Sequence, residues 1–596
     1  MSLSFLDAGL NAHALSDIDV HFARFLAGNA KQASPEIALA SALLSRASAE
    51  GHVYLDLRKA AEQSLWEDCD APGYESWREA LQRSGLLSSE DSPAPLVLEG
   101  GRLYLQRYWR YEKQVAAHLR AVAVRSANTI DRLALAEALR RWFPRGMQFA
   151  DGEIDWQQAA AALAVLKPFA VISGGPGTGK TSTVLRVLAI LAELSPQPLR
   201  MALAAPTGKA AARLQEALRL GRQSLALPPA IENQLPHEAA TLHRLLGYIP
   251  GRIDFRHHCD NPLPLDVLVI DEASMIDLAL MAKMLDALRP DARLLMLGDK
   301  DQLASVEAGA VMSSLCAHAE GYSAAMAKDL KVLTGHDFPI ENSTTALSDN
   351  CVVLRKRYRF KETGGIGALA DAALKGEVVR DFTQSETVEW SDADRNAEMI
   401  GTFVERYIGL LQAAQERMAP VDALSLVKRF AVLCAHRDGA YGAARINEAI
   451  QAVLRRRAGL SGAGQWYPGR LVMMSRNDYG LRLFNGEVGL TLYDDESRLA
   501  VFFPAADGGL KRYPVARISA CESAFAMTVH KAQGSEFEEV ALVLPRTISP
   551  VLSRELFYTA ITRASRKVHV YGGEEIARAA LARQTERDSA LAERLR

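Results

Sequence analysis

A chain of 596 residues is too long for one hydrophobic core and should divide into about three or four domains. Apolar residues at 49% and charged residues at 23% fit a soluble globular protein and exclude a disordered or fibrous one. A net charge of −2 leaves no global basic footprint, so any nucleic-acid surface has to be a local groove. Cys69, Cys259, Cys316, Cys351, Cys434 and Cys521 lack the paired spacing of a zinc site or a disulfide framework, which fits a reducing cytoplasm. The first residues show no basic stretch followed by an apolar core, and the longest apolar run, 159–166, is far too short to span a bilayer. The expectation is a cytoplasmic protein with no membrane segment.

Residues 1–115 form a first unit. Helical apolar spacing runs through 18–26 and 37–44, and 96–105 predicts two short strands around Gly100-Gly101. Helices plus a hairpin suggest a small winged-helix-like docking module without a catalytic constellation. A helical pattern then covers 108–141, and another helix beginning at Asp155-Trp156-Gln157-Gln158 leads into the second unit, 116–345.

The apolar run 169–173 predicts a buried strand, followed by Gly174-Gly175-Pro176-Gly177-Thr178-Gly179-Lys180-Thr181 and a helical segment, 182–194. Strand, glycine loop and helix are the context of a phosphate-binding loop. Glycines let successive N–H groups turn towards a polyphosphate, and the helix N-terminus adds positive potential. Lys180 would reach the β- and γ-phosphates, and Thr181 would ligate Mg²⁺. ATP is therefore the expected ligand.

Strands and helices alternate beyond this loop (201–205, 209–218, 267–270, 294–297), which predicts a parallel sheet wrapped by helices. Asp271-Glu272 ends a buried strand. A Mg²⁺–triphosphate site needs one acid for the metal and one to take a proton from water, which suits Asp271 and Glu272 respectively. An acidic pair at a helix start also serves as a cap. Gln302, after the next strand, is placed to sense a γ-phosphate. Residues 247–264 form a connector with prolines and adjacent histidines, and 318–350 read as a polar connector without a clear period.

A second α/β unit is expected over 346–465 and 519–575, starting near Val352 and strongest at 430–434. Short strands at 470–474, 487–493, 499–503 and 510–518, separated by Asn485-Gly486, Asp494-Asp495 and Gly508-Gly509, predict a small β-barrel inserted at 466–518. Residues 574–596 read as an amphipathic helix fraying into solvent, with 576–596 as a C-terminal tail. Arg359 and Arg563 lie in this half; each could neutralise the charge of phosphoryl transfer, although a lone arginine more often sits on a solvated surface. Loops carrying Thr207, His243, Thr528 and His530 are rich in hydroxyl, imidazole and cationic groups that bind phosphodiesters without reading bases. Each could also be a simple loop cap; together they predict a strand-binding track.

Taken in order, residues 172–183, 267–277, 297–309, 526–537 and 556–565 resemble the motifs of superfamily-1 helicases. Residues 103–110, Arg476-Asn-Asp-Tyr479, Leu483-Phe-Asn-Gly-Glu487 and the N-terminal region narrow the resemblance to the RecD family, the alpha subunits of exodeoxyribonuclease V (RecBCD). It covers nearly the whole chain. The resemblance implies two RecA-like domains, an SH3-like inserted barrel and an N-terminal domain docking on RecC. It also implies ATP-driven 5′→3′ helicase movement on single-stranded DNA at duplex ends, in a heterotrimer with RecB and RecC, with nuclease activity in RecB. Gln157 matches the family's adenine-contacting glutamine; Thr207, Thr528 and His530 match DNA-contacting positions. Residues 247–264 match a strand-separating pin, with a plain hairpin connector still open. Arg357 and Ala532 stand where serine is expected. A stand-alone 5′→3′ repair helicase and a non-catalytic ATP-binding subunit are the alternatives.

Overall fold

The computed structural model describes residues 3–67, 69–88, 93–125, 130–144, 153–317, 321–341, 347–358, 365–377, 385–391, 396–460, 464–478, 480–505 and 508–596. Phe169–Gly174, the strand before the glycine loop, is buried along its whole length. A strand's side chains alternate between faces, and here the alternation sorts the surrounding layers. Ala170 and Ile172 pack with helices Trp156–Leu166 and Lys180–Leu194, whereas Phe169 and Val171 pack with Gln106–Ala123 and Leu278–Asp286.

That strand belongs to a six-stranded parallel sheet in the order Cys351–Leu354, Phe169–Gly174, Arg293–Gly298, Val267–Ile270, Met201–Ala205, Ala239–Thr241. Cys351–Leu354 was expected to open the second unit. It instead completes the first sheet, in register with Val171–Gly174, and the buried Asn350 donates Nδ2 to Phe169 O at 2.7 Å. The first unit therefore extends past the expected boundary at 345. The connector expected at 318–350 contains the helix Ala324–Thr334, capped by Ser323 and by Gly335 at φ 81°, with Met326, Ala327, Leu330 and Leu333 buried. Those four positions follow one helical face. The single helical pattern at 108–141 divides into Gln106–Ala123 and Arg132–Trp142.

The second parallel sheet has five strands: Val388–Ser391, Ala564–Tyr571, Phe537–Val543, Phe430–Cys434 and Ala526–Thr528. A five-stranded antiparallel sheet runs Leu510–Pro514, Leu499–Pro504, Val488–Tyr493, Leu471–Met474, Cys521–Ser523. Its last strand lies beyond residue 518, where the insertion was expected to end, because Cys521–Ser523 closes back on Leu471–Met474. The N-terminal unit combines helices Ser4–Asn11, Asp17–Asn29, Pro35–Ala49 and Tyr74–Arg83 with an antiparallel sheet, Tyr54–Asp56, Arg102–Leu105, Leu96–Glu99. Among the described residues, no helix is long and apolar enough to cross a membrane.

The C-terminal tail does not fray. Helix Glu574–Ala582 is followed by an extended strap that ends in Leu591–Arg594, with Ala590, Leu591 and Leu595 buried. Arg587 donates Nη1 to Glu307 O at 2.9 Å, and Asp588 pairs with His52 at 3.1 Å. Fully buried Glu112 accepts from Ser589 Oγ and Ala590 N, each at 2.8 Å, and from Arg594 Nε at 3.0 Å. The strap thus joins the end of the second unit to the first and to the N-terminal unit. A buried carboxylate stripped of its cation is costly, so Arg594→Ala should lower stability by about 3 kcal/mol in urea unfolding. An unchanged unfolding midpoint would show that the strap is not held by this pair.

Candidate nucleotide site between two sheets

The glycine loop can only close as it does because Gly177 and Gly179 take φ of 81° and 82°. At Gly179 a Cβ would also fall 2.3 Å from Gln157 Nε2. Gln157 sits in the first turn of Trp156–Leu166, capped by Asp155, and donates Nε2 to Thr178 O at 2.8 Å. It therefore holds the outer side of the loop.

In front of the loop lies a cavity of about 510 Å³. Pro176, Gly177, Thr178, Gly179, Lys180 and Thr181 form one wall, and Asp271, Glu272 and Gln302 come from neighbouring strand ends of the same sheet. Ser535, Glu536, Thr562 and Arg563 enter from the second sheet. Gly174 and Gly175 lie behind: Lys180 Nζ donates to Gly174 O and, at 3.3 Å, to Gly175 O. Arg359 falls outside the described residues. Its neighbour Tyr358 lines the cavity and donates its N–H to Gly177 O at 2.8 Å. Arg357, where serine was expected, pairs with Asp371 at 2.6 Å and donates to Gly367 O at 3.1 Å, tying this segment to helix Gly365–Lys375.

The electrostatics are those of a site short of counter-charges. Burial, reinforced by the Glu272 carboxylate, pushes the Asp271 carboxyl up to about 6. Burial also lowers Lys180 and Arg563, against nearby acids that favour their charged forms. Glu272 holds φ of 53°, a left-handed conformation rare for a non-glycine residue, and its N–H donates to Asp271 Oδ1 at 2.9 Å. Such strain at a strand end is a mark of functional sites.

Three side chains of the second unit grip the loop after strand Arg293–Gly298. Tyr558 OH donates to Asp299 Oδ2 at 3.1 Å, Thr559 Oγ1 accepts from Leu303 N at 2.9 Å, and Gln533 Nε2 donates to Leu303 O at 2.9 Å. Asp299 Oδ2 also accepts from Gln302 Nε2 at 2.9 Å. Tyr558 approaches so closely that a Cβ on Gly175 would lie 2.8 Å from its hydroxyl. Motif reading singled out Gln302 and Arg563 but missed Tyr558, Arg213, Ser535 and Glu536. Tyr558 stands within the same short segment as Arg563, and its spacing from it was the available signal.

Away from the cavity, Thr207 caps helix Gly208–Leu225 by accepting from Ala210 N at 3.2 Å. Thr528 lines a second cavity of about 210 Å³ with Arg437, Asn447 and Lys531. His530 is half-buried, and burial lowers its imidazole, with Arg587 acting in the same direction. His243 instead faces the 247–264 connector, edge-on to Phe255 at 5.6 Å and Tyr248 at 6.4 Å. That connector forms an antiparallel bridge, Tyr248 to Phe255, and its turn groups His258, Cys259 and Asp260 with ligand atoms within 4.8 Å.

Residues 157–308 match the AAA domain family, 11–104 the N-terminal domain of RecBCD enzyme subunit RecD, and 523–571 the UvrD-like helicase C-terminal domain. The chain is 40% identical to RecBCD enzyme subunit RecD of Mycobacterium tuberculosis, over 98% of this chain and 95% of that one. The corresponding subunit of Haemophilus influenzae is 34% identical over 90% and 88%. The ATP-dependent RecD2 DNA helicase of Deinococcus radiodurans is 32% identical over 92% of this chain and 66% of its own length. With nearly its whole length matched at this identity, the chain belongs to the RecD family of RecBCD enzyme subunits.

Proposed function

We propose that this ATP-dependent DNA helicase is the 5′→3′ motor of a RecBCD-type heterotrimer, moving on single-stranded DNA and engaging duplex ends with RecB and RecC. The observation that carries the reading is the split cavity: Lys180, Thr181, Asp271, Glu272 and Gln302 belong to one sheet, and Arg563 belongs to the other. Both sheets are read as RecA-like, the antiparallel sheet as an SH3-like barrel and the N-terminal unit as winged-helix-like.

The triphosphate lies along 174–181, where Lys180 exchanges the carbonyls of Gly174 and Gly175 for phosphate oxygens. Gln157 contacts the adenine. Thr181 and Asp271 would hold Mg²⁺; two oxygen donors face one cavity, and the raised Asp271 carboxyl suits a site that gains a cation. When bound, that ion neutralises charge on the phosphate oxygens. Glu272 accepts the proton of the attacking water, and Gln302, steadied by Asp299, orients it. Arg563, joined by Arg359, neutralises the charge that builds on the transferred group, so closure of the two sheets is what completes the site.

Thr207, Thr528 and His530 hold the phosphodiester backbone, His243 supports the strand beside the connector, and 247–264 acts as the pin. Thr528 and Glu536 belong to one loop, so a strand held at the first end is linked through it to the cavity at the other. On helix Asp17–Asn29, Ile18 and Phe25 share a face and are 69% and 66% exposed, which supports docking of this unit on RecC.

Lys180→Gln and Arg563→Ala should each reduce DNA-stimulated ATP turnover on the order of a thousandfold while leaving the circular dichroism spectrum intact. Normal turnover in Lys180→Gln would defeat the site, and turnover lost only for Lys180→Gln would remove the role of Arg563. Unwinding should require a 5′ tail; equal activity on 3′-tailed duplexes would overturn the polarity. Ile18→Glu with Phe25→Glu should abolish co-purification with RecC without changing ATP turnover. Co-purification unaffected by both changes would leave this face without a docking role, and a native protein that never copurifies with RecB or RecC would favour a stand-alone helicase.

A further inference from the structure

Helix Gly208–Leu225 connects the two ends of this motor in a way that motif reading does not assign. Its cap, Thr207, stands on the proposed DNA track. Its first turn is wedged between the two other units: a Cβ on Gly208 would lie 3.1 Å from Phe484 Cβ of the antiparallel insertion, and one on Gly534 3.3 Å from Ala210 Cβ. Six residues beyond Thr207, about 9 Å along the axis at helical rise, Arg213 reaches the nucleotide cavity.

The guanidinium there touches both sheets. Nη2 donates to Glu536 Oε2 of the second unit at 2.5 Å, and Nη1 lies 3.9 Å from Glu272 Oε1 of the first. A half-exposed ion pair contributes little to stability, so holding the fold together is a poor explanation of this bridge. Glu272 itself is held in a left-handed backbone conformation, strain of the kind that collects at functional sites. One turn earlier on the same helix, Lys209 Nζ is buried and has no hydrogen-bond partner among the described residues, and burial, with Arg563 and Arg213 adding to it, takes its ammonium down to about 8. Lys209 and Arg213, four residues apart, thus place two cations on one side of the helix, and Glu272 and Glu536 are the carboxylates that Arg213 meets.

We propose that Arg213 is a positioning residue that fixes the Glu272 carboxylate against Glu536. DNA seated at Thr207 and along 528–536 is then transmitted through helix Gly208–Leu225 to the group that takes the proton from water. The proposal rests on reading Glu272 as that group. Arg213 acts on turnover through Glu272 and not by gripping the triphosphate, so its loss should fall on kcat and not on KM for ATP.

The test is steady-state ATP turnover of the full chain in its native assembly, with and without single-stranded DNA. Arg213→Ala should lower kcat with DNA by at least about tenfold and reduce the ratio of stimulated to unstimulated turnover, with KM for ATP within about twofold. Glu536→Gln should show the same split. Because the two act as one bridge, the double variant should lose no more than either single variant. Arg213→Glu combined with Glu536→Arg should regain part of the ratio that each charge reversal alone loses, which a merely misfolded helix would not. An Arg213→Ala protein whose KM rises while kcat holds would make Arg213 a phosphate ligand and overturn the proposal, as would single effects that multiply. Glu272→Gln measured alongside separates the two readings. If it retains turnover, the assignment of Glu272 fails; if it is dead while Arg213→Ala keeps full DNA stimulation, only the bridge fails.

Discussion

The buried bond from Tyr558 OH to Asp299 Oδ2 is the contact on which the geometry of the site depends. Both groups are almost fully excluded from water, and an unpaired carboxylate there would be costly. Asp299 is fully engaged: Oδ2 accepts from Gln302 and Tyr558, and Oδ1 accepts from Asp301 N at 3.1 Å. Separating the sheets would strip Asp299 of one donor and, through Thr559 and Gln533, would also strip both backbone groups of Leu303. Gln302, which lines the cavity, is thus bonded to the same oxygen that receives Tyr558 from the other sheet.

This coupling explains why the polar lining of the cavity is divided between two sheets. A single sheet with its glycine loop offers Lys180 and backbone donors, enough to bind a triphosphate. Arg563 arrives from a strand end of the other sheet, and its side chain is buried and held by its own unit, donating to Ser535 O and Thr559 O, each at 3.3 Å. Its guanidinium is therefore fixed in direction before anything enters the cavity.

Much of this was legible in the sequence because the relevant constraints are local. Gly177 and Gly179 are required where the loop turns with positive φ, and the Asp271-Glu272 pair announces itself at the end of a wholly apolar strand. The inserted antiparallel strands were visible through Asn485-Gly486 and Gly508-Gly509. Non-local features were not. Cys351–Leu354 reads as the start of a new α/β unit because nothing in four apolar residues says which sheet receives them. The tail reads as a solvated helix because its charges look like surface charges; only the fold brings Glu112 against Arg594 and Ser589. Arg213 failed for the same reason, being a charged residue in the middle of an amphipathic helix.

The strap adds a constraint on how the sheets can move. Cleft opening cannot be a free hinge, because the second unit continues through Arg587 and Asp588 to Glu307 and His52 and ends against Glu112. Arg587 is also the charge that faces His530 on the proposed DNA loop. The two sheets are therefore tied at one place by the strap and at another by helix Gly208–Leu225, wedged between Phe484 and Gly534. The cavity holding Lys180, Glu272 and Arg563 is lined from both sheets, so any change in their separation would alter the distances among these three groups.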